Sequence, residues 1–224
     1  MGNNFQSVYL EVRKGRSVEV WIPEQWVPDY PVIILTHGAG GSITSGFFVL
    51  LEQGLSAYPM NRVYFNFPYR VLGRKMPDHP TILQDSWRQV VEFVKGEYEC
   101  RKLVIGGKSM GGRMASLVAG EYDDLSGLVF LGYPFHPPGR PDQLRTSHLF
   151  HLTVPMLFIQ GTRDPFAKFD LIQKIIKQLN DTATWITVEQ GDHSFKIPRR
   201  AGKSYAEVLY WVAQEINRWI YEHI

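Results

Sequence analysis

The sequence predicts an α/β protein: a mostly parallel sheet opened by an antiparallel hairpin, with helices on both faces. Three observations predict it. From about residue 30, strand-like apolar runs alternate with stretches at helical spacing, the pattern of a parallel sheet. Several of those runs are apolar throughout, as expected of strands covered on both sides. The opening segment differs, because two period-two stretches flank a short turn. The 224 residues, 44% hydrophobic and 13% aromatic, suit one domain over 1–224 with a substantial core.

The elements follow in order. Ser7–Val12 and Ser17–Ile22 alternate around Lys14-Gly15-Arg16 and read as a hairpin at a sheet edge. Pro31–Thr36 is a buried strand. Gly46–Tyr58 carries Phe47, Leu50, Leu51, Leu55 and Tyr58 near helical spacing, and Asn61–Phe67 is the next strand. Pro68–Pro77 reads as a basic, aromatic loop. Thr81–Tyr98 has a helical stripe of Ile82, Trp87, Val90, Val91 and Val94. Leu103–Lys108 is a strand, and Met114–Ala119 continues as a helix. Ser126–Leu131 is another buried strand. The proline-rich 132–141 that follows cannot be regular structure. About twenty residues separate it from the next strand, Val154–Gln160, too few for a lid of several helices. Leu171, Ile172, Ile175, Ile176 and Leu179 mark a helix, Thr184–Glu189 the last strand, and Lys203–Ile224 an amphipathic closing helix.

Three strand ends carry chemistry. Gly107-Lys108-Ser109-Met110-Gly111 is Gly-x-Ser-x-Gly on a strand-to-helix turn. A serine there is held in a strained backbone conformation with its hydroxyl above the sheet. Side chains two positions either side would collide with the neighbouring strand and helix, so glycine suits both. The motif arises by chance in about one chain in ten of this length, so it needs companions. A phosphate loop ending Gly107-Lys108-Ser109 would need glycine at 102, which is Lys102. The companions are Asp164, after the strand at 154–160, and His193, after the last strand. The order Ser109, Asp164, His193 puts all three at the C-terminal edge of the sheet. Asp192 is a rival acid, but as an immediate neighbour of His193 it is poorly placed to hold that ring. A glycine-rich loop, His37-Gly38-Ala39-Gly40-Gly41, follows the strand at 31–36 and lets backbone approach a ligand closely.

Other polar residues are weaker candidates. Arg70, in the loop after the strand at 61–67, is a possible substrate contact, though such an arginine is more often a structural partner. Lys108 and Arg113 flank the serine and offer charge to an anionic substrate, or point into the helix layer or solvent. His136 is a possible pocket residue set against a reading as a histidine held by proline-rich packing. His148 and His151 share a side of a short helix without a carboxylate or cysteine set, so no metal site is read.

Net charge is +2 with basic residues spread along the chain, which points away from a nucleic-acid partner. No apolar run approaches membrane-spanning length. Met1–Phe5 lacks the regions of a secretory signal, Gln6 stands where a myristoylation signal wants Ser or Thr, and Cys100 has no second cysteine to pair with. The expectation is a cytoplasmic protein, for which the sequon Asn180-Asp181-Thr182 means little.

Ser109, Asp164 and His193 in this order, with the surrounding elements, resemble the α/β-hydrolase superfamily over nearly the whole chain. Local stretches are similar to a small dienelactone-hydrolase-related branch. That branch includes the hydrolase-like subunit of a histone-acetyltransferase complex and testis-expressed hydrolase-like proteins. The stretches are Gly107–Arg113, Gly132-Tyr133-Pro134 with His136-Pro137-Pro138, and Gly161-Thr162-Arg163-Asp164. The resemblance implies the α/β-hydrolase fold without a large lid domain. It implies Ser109 as nucleophile, His193 as base and Asp164 as its orienting acid, with the Met110 and Ala39 amides as the oxyanion hole. Dienelactone hydrolases use a cysteine nucleophile, and Ser109 at this elbow argues against their own lactone reaction.

The expected activity is hydrolysis of a small ester or thioester through an acyl-enzyme, with no cofactor and no metal. Two alternatives stay open: a non-catalytic interaction module on the same fold, or an acyltransferase using the same three residues.

Overall fold

The structure is a computed structural model and describes residues 4–179 and 182–224. Eight strands form one sheet: β1 (Phe5–Arg13), β2 (Arg16–Pro23), β3 (Val32–Thr36), β4 (Asn61–Asn66), β5 (Leu103–Lys108), β6 (Leu125–Leu131), β7 (Met156–Gly161) and β8 (Ala183–Val188). Their spatial order is β1-β2-β4-β3-β5-β6-β7-β8. The β1–β2 hairpin is antiparallel and joins β4 antiparallel, whereas every pairing from β4 to β8 is parallel. The chain leaves β3 for β4 on one side and later returns to its other side as β5. That reversal opens a crevice beyond the C-terminal ends of β3 and β5, where ligands bind in open α/β sheets.

Six α-helices flank the sheet among the described residues: α1 (Gly46–Leu55), α2 (Pro68–Val71), α3 (Pro80–Glu97), α4 (Met110–Val118), α5 (Phe169–Leu179) and α6 (Tyr205–His223). Two apolar cores result, one per face. Val32 and Ile34 of β3 pack with Trp87 and Val90 of α3 and Met114 of α4. Ile33 and Leu35 point the other way, onto Leu51 of α1 and Val212 and Ile216 of α6. A strand buried on both faces thus keeps its period of two although Val32–Leu35 are all apolar. The closing helix starts on a capping box, in which Ser204 Oγ accepts from the Glu207 amide and the Glu207 carboxylate from the Ser204 amide.

The expected hydrolase architecture stands, including the hairpin at the sheet edge. Between β6 and β7 there is only a short 3₁₀ turn, Ser147–His151, and no lid. One segment differs. Residues 68–77 are not loop throughout, because Pro68 at the first helical position presets φ and starts α2. Met1-Gly2-Asn3 and Asn180-Asp181 of the sequon lie outside the described residues. No helix among the described residues is long and apolar enough to cross a membrane.

Candidate active site

Ser109 sits between β5 and α4 at φ 51°, ψ −115°, a conformation that non-glycine residues rarely adopt. The turn is held by the Ser109 amide donating to the Leu131 carbonyl at 3.0 Å and the Arg113 amide donating to the Ser109 carbonyl at 3.0 Å. The glycines around it are required by contact. A Cβ on Gly107 would lie 2.3 Å from the Thr36 carbonyl oxygen, and one on Gly111 2.6 Å from that of His37. Both would strike backbone of β3 and the loop after it, rather than a strand on one side and a helix on the other.

His193 reaches this serine from the loop after β8. Its Nε2 is 2.8 Å from Ser109 Oγ, and its Nδ1 is 2.6 Å from Asp164 Oδ2. Asp164 follows β7 and its side chain is wholly buried. Gln160 Nε2 also donates to Oδ2, and the Phe166 amide to Oδ1 at 2.8 Å. This carboxylate therefore accepts on both oxygens, so its orientation is fixed and it aligns the imidazole. With Nδ1 donating to Asp164, Nε2 is free to accept the serine proton. The Phe166 ring lies 4.4 Å from the imidazole, centroid to centroid, and limits its swing. Asp192, the rival acid, serves its own loop: its Oδ1 accepts from the Ser194 and Lys196 amides at 2.7 and 2.9 Å.

The loop after β3 is locked by His37. Its Nδ1 donates to the Gly38 carbonyl at 2.9 Å, and its Nε2 accepts from the Phe67 amide at 3.2 Å. The same carbonyl accepts from the Gly41 amide at 3.1 Å. Gly38 is pressed against the serine, since a Cβ there would come 3.1 Å from Ser109 Cβ. Ala39, Met110, Ser109 and His193 line one cavity of about 730 Å³, a size that suits a small organic ligand.

Burial pushes the His37 imidazole down to about 4, from an ordinary value of 6.5. The folded protein thus refuses a proton that the unfolded chain binds between those values. Stability is full above pH 6.5 and falls as pH drops towards 4, by up to about 3 kcal/mol from this group. Urea unfolding at pH 7 and pH 4.5 checks this. His37→Gln is expected to lose less stability over that interval than wild type, and an equal loss would refute the assignment.

The weaker candidates divide. Arg70 does not reach the cavity: its guanidinium donates to the Arg74 carbonyl at 3.0 Å, across the turn that ends α2. His136 is likewise structural, with Nδ1 donating to the Pro137 carbonyl at 2.8 Å and Nε2 accepting from the Lys168 amide at 3.1 Å. Lys108 is on the cavity wall, yet its Nζ turns behind His193. A Cβ on Gly132 would lie 3.0 Å from that Nζ, 3.1 Å from the His193 carbonyl oxygen and 3.5 Å from its Nδ1. The ammonium is buried, among the described residues without a hydrogen-bond partner, 5.8 Å from the centroids of the Phe47 and Phe195 rings. Burial pushes it down to about 8, against the opposing pull of Asp164 and then Asp192. His148 Nε2 is 2.8 Å from Ser116 Oγ, and among the described residues no cluster fit for a metal ion occurs. Burial pushes the Cys100 thiol up to about 11, so it is no activated nucleophile.

Sequence reasoning missed Gln160, Phe166 and Arg145. Gln160 precedes Asp164 by four residues in an apolar strand, and a buried amide there was a readable signal. Phe166 and Arg145 lie in loops without periodicity, and nothing local marked them.

Comparison with known proteins matches residues 29–221 to a family model described as an alpha/beta hydrolase domain. Among solved structures, the chain is similar to an alpha-beta serine hydrolase homologue from Coxiella burnetii, with TM-score 0.75, 17% identity and 97% of each chain covered. It is also similar to a lidless serine hydrolase from Xanthomonas campestris, with TM-score 0.71, 20% identity, and 98% of this chain and 96% of that one covered. A dienelactone hydrolase from Anabaena variabilis superposes with TM-score 0.72 and 20% identity over 99% of this chain and all of the other. At such identities these likenesses speak for the fold alone.

Proposed function

The chain belongs to the alpha/beta hydrolase family, and on that premise we propose that it is a serine hydrolase of carboxylic esters or thioesters. One observation carries the reading: the hydrogen-bonded series Ser109 Oγ, His193 Nε2, His193 Nδ1, Asp164 Oδ2, with spacings of 2.8 and 2.6 Å. An interaction module has no use for such a series at a strained turn beside a cavity.

In the proposed reaction His193 Nε2 takes the Ser109 proton as Oγ attacks the substrate carbonyl carbon. Asp164 stabilises the resulting imidazolium. The oxyanion is received by the Met110 amide, at the N-terminus of α4, and by the Ala39 amide. Among the described residues neither N–H has an acceptor, which supports this role. Losing one such donor typically costs about 3 kcal/mol of barrier. The tetrahedral intermediate collapses as His193 returns the proton to the leaving oxygen or sulfur. Water, deprotonated by His193, then releases the acyl group and regenerates Ser109. None of these steps draws on a cofactor. The local similarity to the dienelactone-hydrolase-related branch is part of the same proposal, with Ser109 in place of that family's cysteine.

A fluorophosphonate probe tests the proposal. The expected result is a stoichiometric adduct on the peptide containing Ser109, absent from Ser109→Ala. A folded wild-type protein that takes no label would count decisively against serine-hydrolase chemistry.

A further inference from the structure

We propose that Arg113 and Arg145 form an anion subsite in the active-site cavity. The substrate is then an ester or thioester carrying a second group, a carboxylate or a phosphate, a few bonds from the scissile carbonyl. The proposal rests on the hydrolase reading for the place of the reacting carbonyl.

Both arginines line the cavity that holds Ser109 and His193. Two further arginines, Arg16 and Arg74, are paired with Asp78 of the cavity wall. Among the described residues no ion pair involves Arg113 or Arg145. Among the described residues the buried Arg113 Nε has no hydrogen-bond partner. A buried guanidinium donor left unmatched is costly, and an incoming carboxylate or phosphate would match it with two parallel hydrogen bonds.

Their placement is built rather than incidental. Arg113 stands in the first turn of α4, its amide donating to the Ser109 carbonyl at 3.0 Å. Arg145 enters from the segment between β6 and β7, and its backbone is pinned at both ends. Its amide donates to the Phe135 carbonyl at 2.8 Å, and its carbonyl accepts from the Tyr133 hydroxyl at 3.0 Å. The backbone is thus committed while the head group is free. Burial and the Arg113 charge together hold the Arg145 guanidinium below its usual value, as expected of two cations sharing a space without an anion. Among the described residues no carboxylate of the wall pairs with either arginine. Its carboxylate, Asp78, bonds Arg16 and Arg74 through Oδ1, and Asp164 is shielded behind His193. Neighbouring His148 is pushed down to about 4, by burial first and then by Arg113, so it is neutral at ordinary pH.

An anion between these groups shares one cavity with Ser109. It can belong to the acyl part, as in a short dicarboxylic monoester, or to the leaving group, as in a phosphorylated alcohol. Paired substrates separate the two. Monoethyl glutarate is compared with ethyl pentanoate, and 2-acetoxyethyl phosphate with 2-methoxyethyl acetate. The expected result is that kcat/KM favours the anionic member of one pair at least tenfold, and that this ratio collapses towards one in Arg145→Gln and in Arg113→Gln. A wild-type ratio near one in both pairs, or a ratio unmoved in both variants, would overturn the subsite while leaving a labelled Ser109 intact.

Calorimetric titration with glutarate and with inorganic phosphate reads the subsite without turnover. Should no ester be turned over and Ser109 take no label, binding of either anion that weakens at least tenfold in both variants would sustain the subsite as the hydrolase reading fell. Absence of binding by either anion in that case would overturn the subsite too.

Discussion

His193→Gln is expected to lower kcat on an activated ester by about 10⁵- to 10⁶-fold, with Asp164→Asn lowering it by about 10⁴-fold. The difference follows from what each group does. Without the imidazole nothing accepts the Ser109 proton, and attack must proceed from an un-ionised hydroxyl. In Asp164→Asn the imidazole is still present. An amide nitrogen facing Nδ1 would act as a donor, however, and would favour the tautomer whose Nε2 carries the proton and cannot act as base. Asp164 Oδ2 also accepts from Gln160, and Oδ1 accepts from the Phe166 amide, so the orientation that would present oxygen to His193 sets the new NH2 group against the Phe166 backbone N–H. The two residues act on one proton transfer. The double variant should therefore be no slower than His193→Gln alone, whereas independent effects would multiply. Single-turnover kinetics on a p-nitrophenyl ester, with circular dichroism to verify folding, measures all three. A His193→Gln protein retaining activity within tenfold of wild type would remove histidine from the mechanism.

How much of this site was legible beforehand depended on the physics each residue obeys. Ser109, Asp164 and His193 sit at strand ends, and strands announce themselves by apolar runs such as Leu103–Ile105 and Met156–Ile159, fully buried in the structure. Once the strands are placed in order, the sheet gathers their C-terminal edges by topology alone. Arg70 and His136 were candidates because their residue types bind anions and protons. Whether such a side chain meets the cavity or a neighbouring carbonyl is decided by loop conformation, which has no period to read. Arg70 turned to the Arg74 carbonyl because Pro68 nucleated a helical turn where a loop was expected. Lys108 illustrates a third case. Its place beside Ser109 was plain, but alternation along β5 decides which side of the sheet edge it faces. That alternation sends it behind His193, under Phe47 and Phe195, rather than out to substrate. Arg145 depended on a pairing between the Tyr133 hydroxyl and a backbone carbonyl twelve residues on, a contact that no local pattern encodes.

The glycines of the elbow yield the other large effect, one of stability. Gly107→Ala is expected to destabilise the protein by about 4 kcal/mol or more, among the severest outcomes for a single methyl group. The added Cβ would sit 2.3 Å from the Thr36 oxygen and 3.0 Å from its nitrogen, both backbone atoms of the paired central strand β3. Neither can move without breaking the β3–β5 ladder, and Gly107 has φ 154°, which strains any L side chain. The same substitution at Gly96 has the opposite sign. That residue is exposed near the end of α3, and a Cβ there meets nothing within 4 Å. Gly96→Ala should stabilise by about 0.5–1 kcal/mol, through helix propensity and a less free unfolded chain. Urea unfolding of the two variants beside wild type separates steric demand from intrinsic propensity, because the chemical change is identical. If Gly107→Ala unfolded within about 1 kcal/mol of wild type, the close approach of β5 to β3 under Ser109 would be wrong. The strained serine conformation depends on that approach, since a wider turn would relax Ser109 and carry its Oγ away from His193.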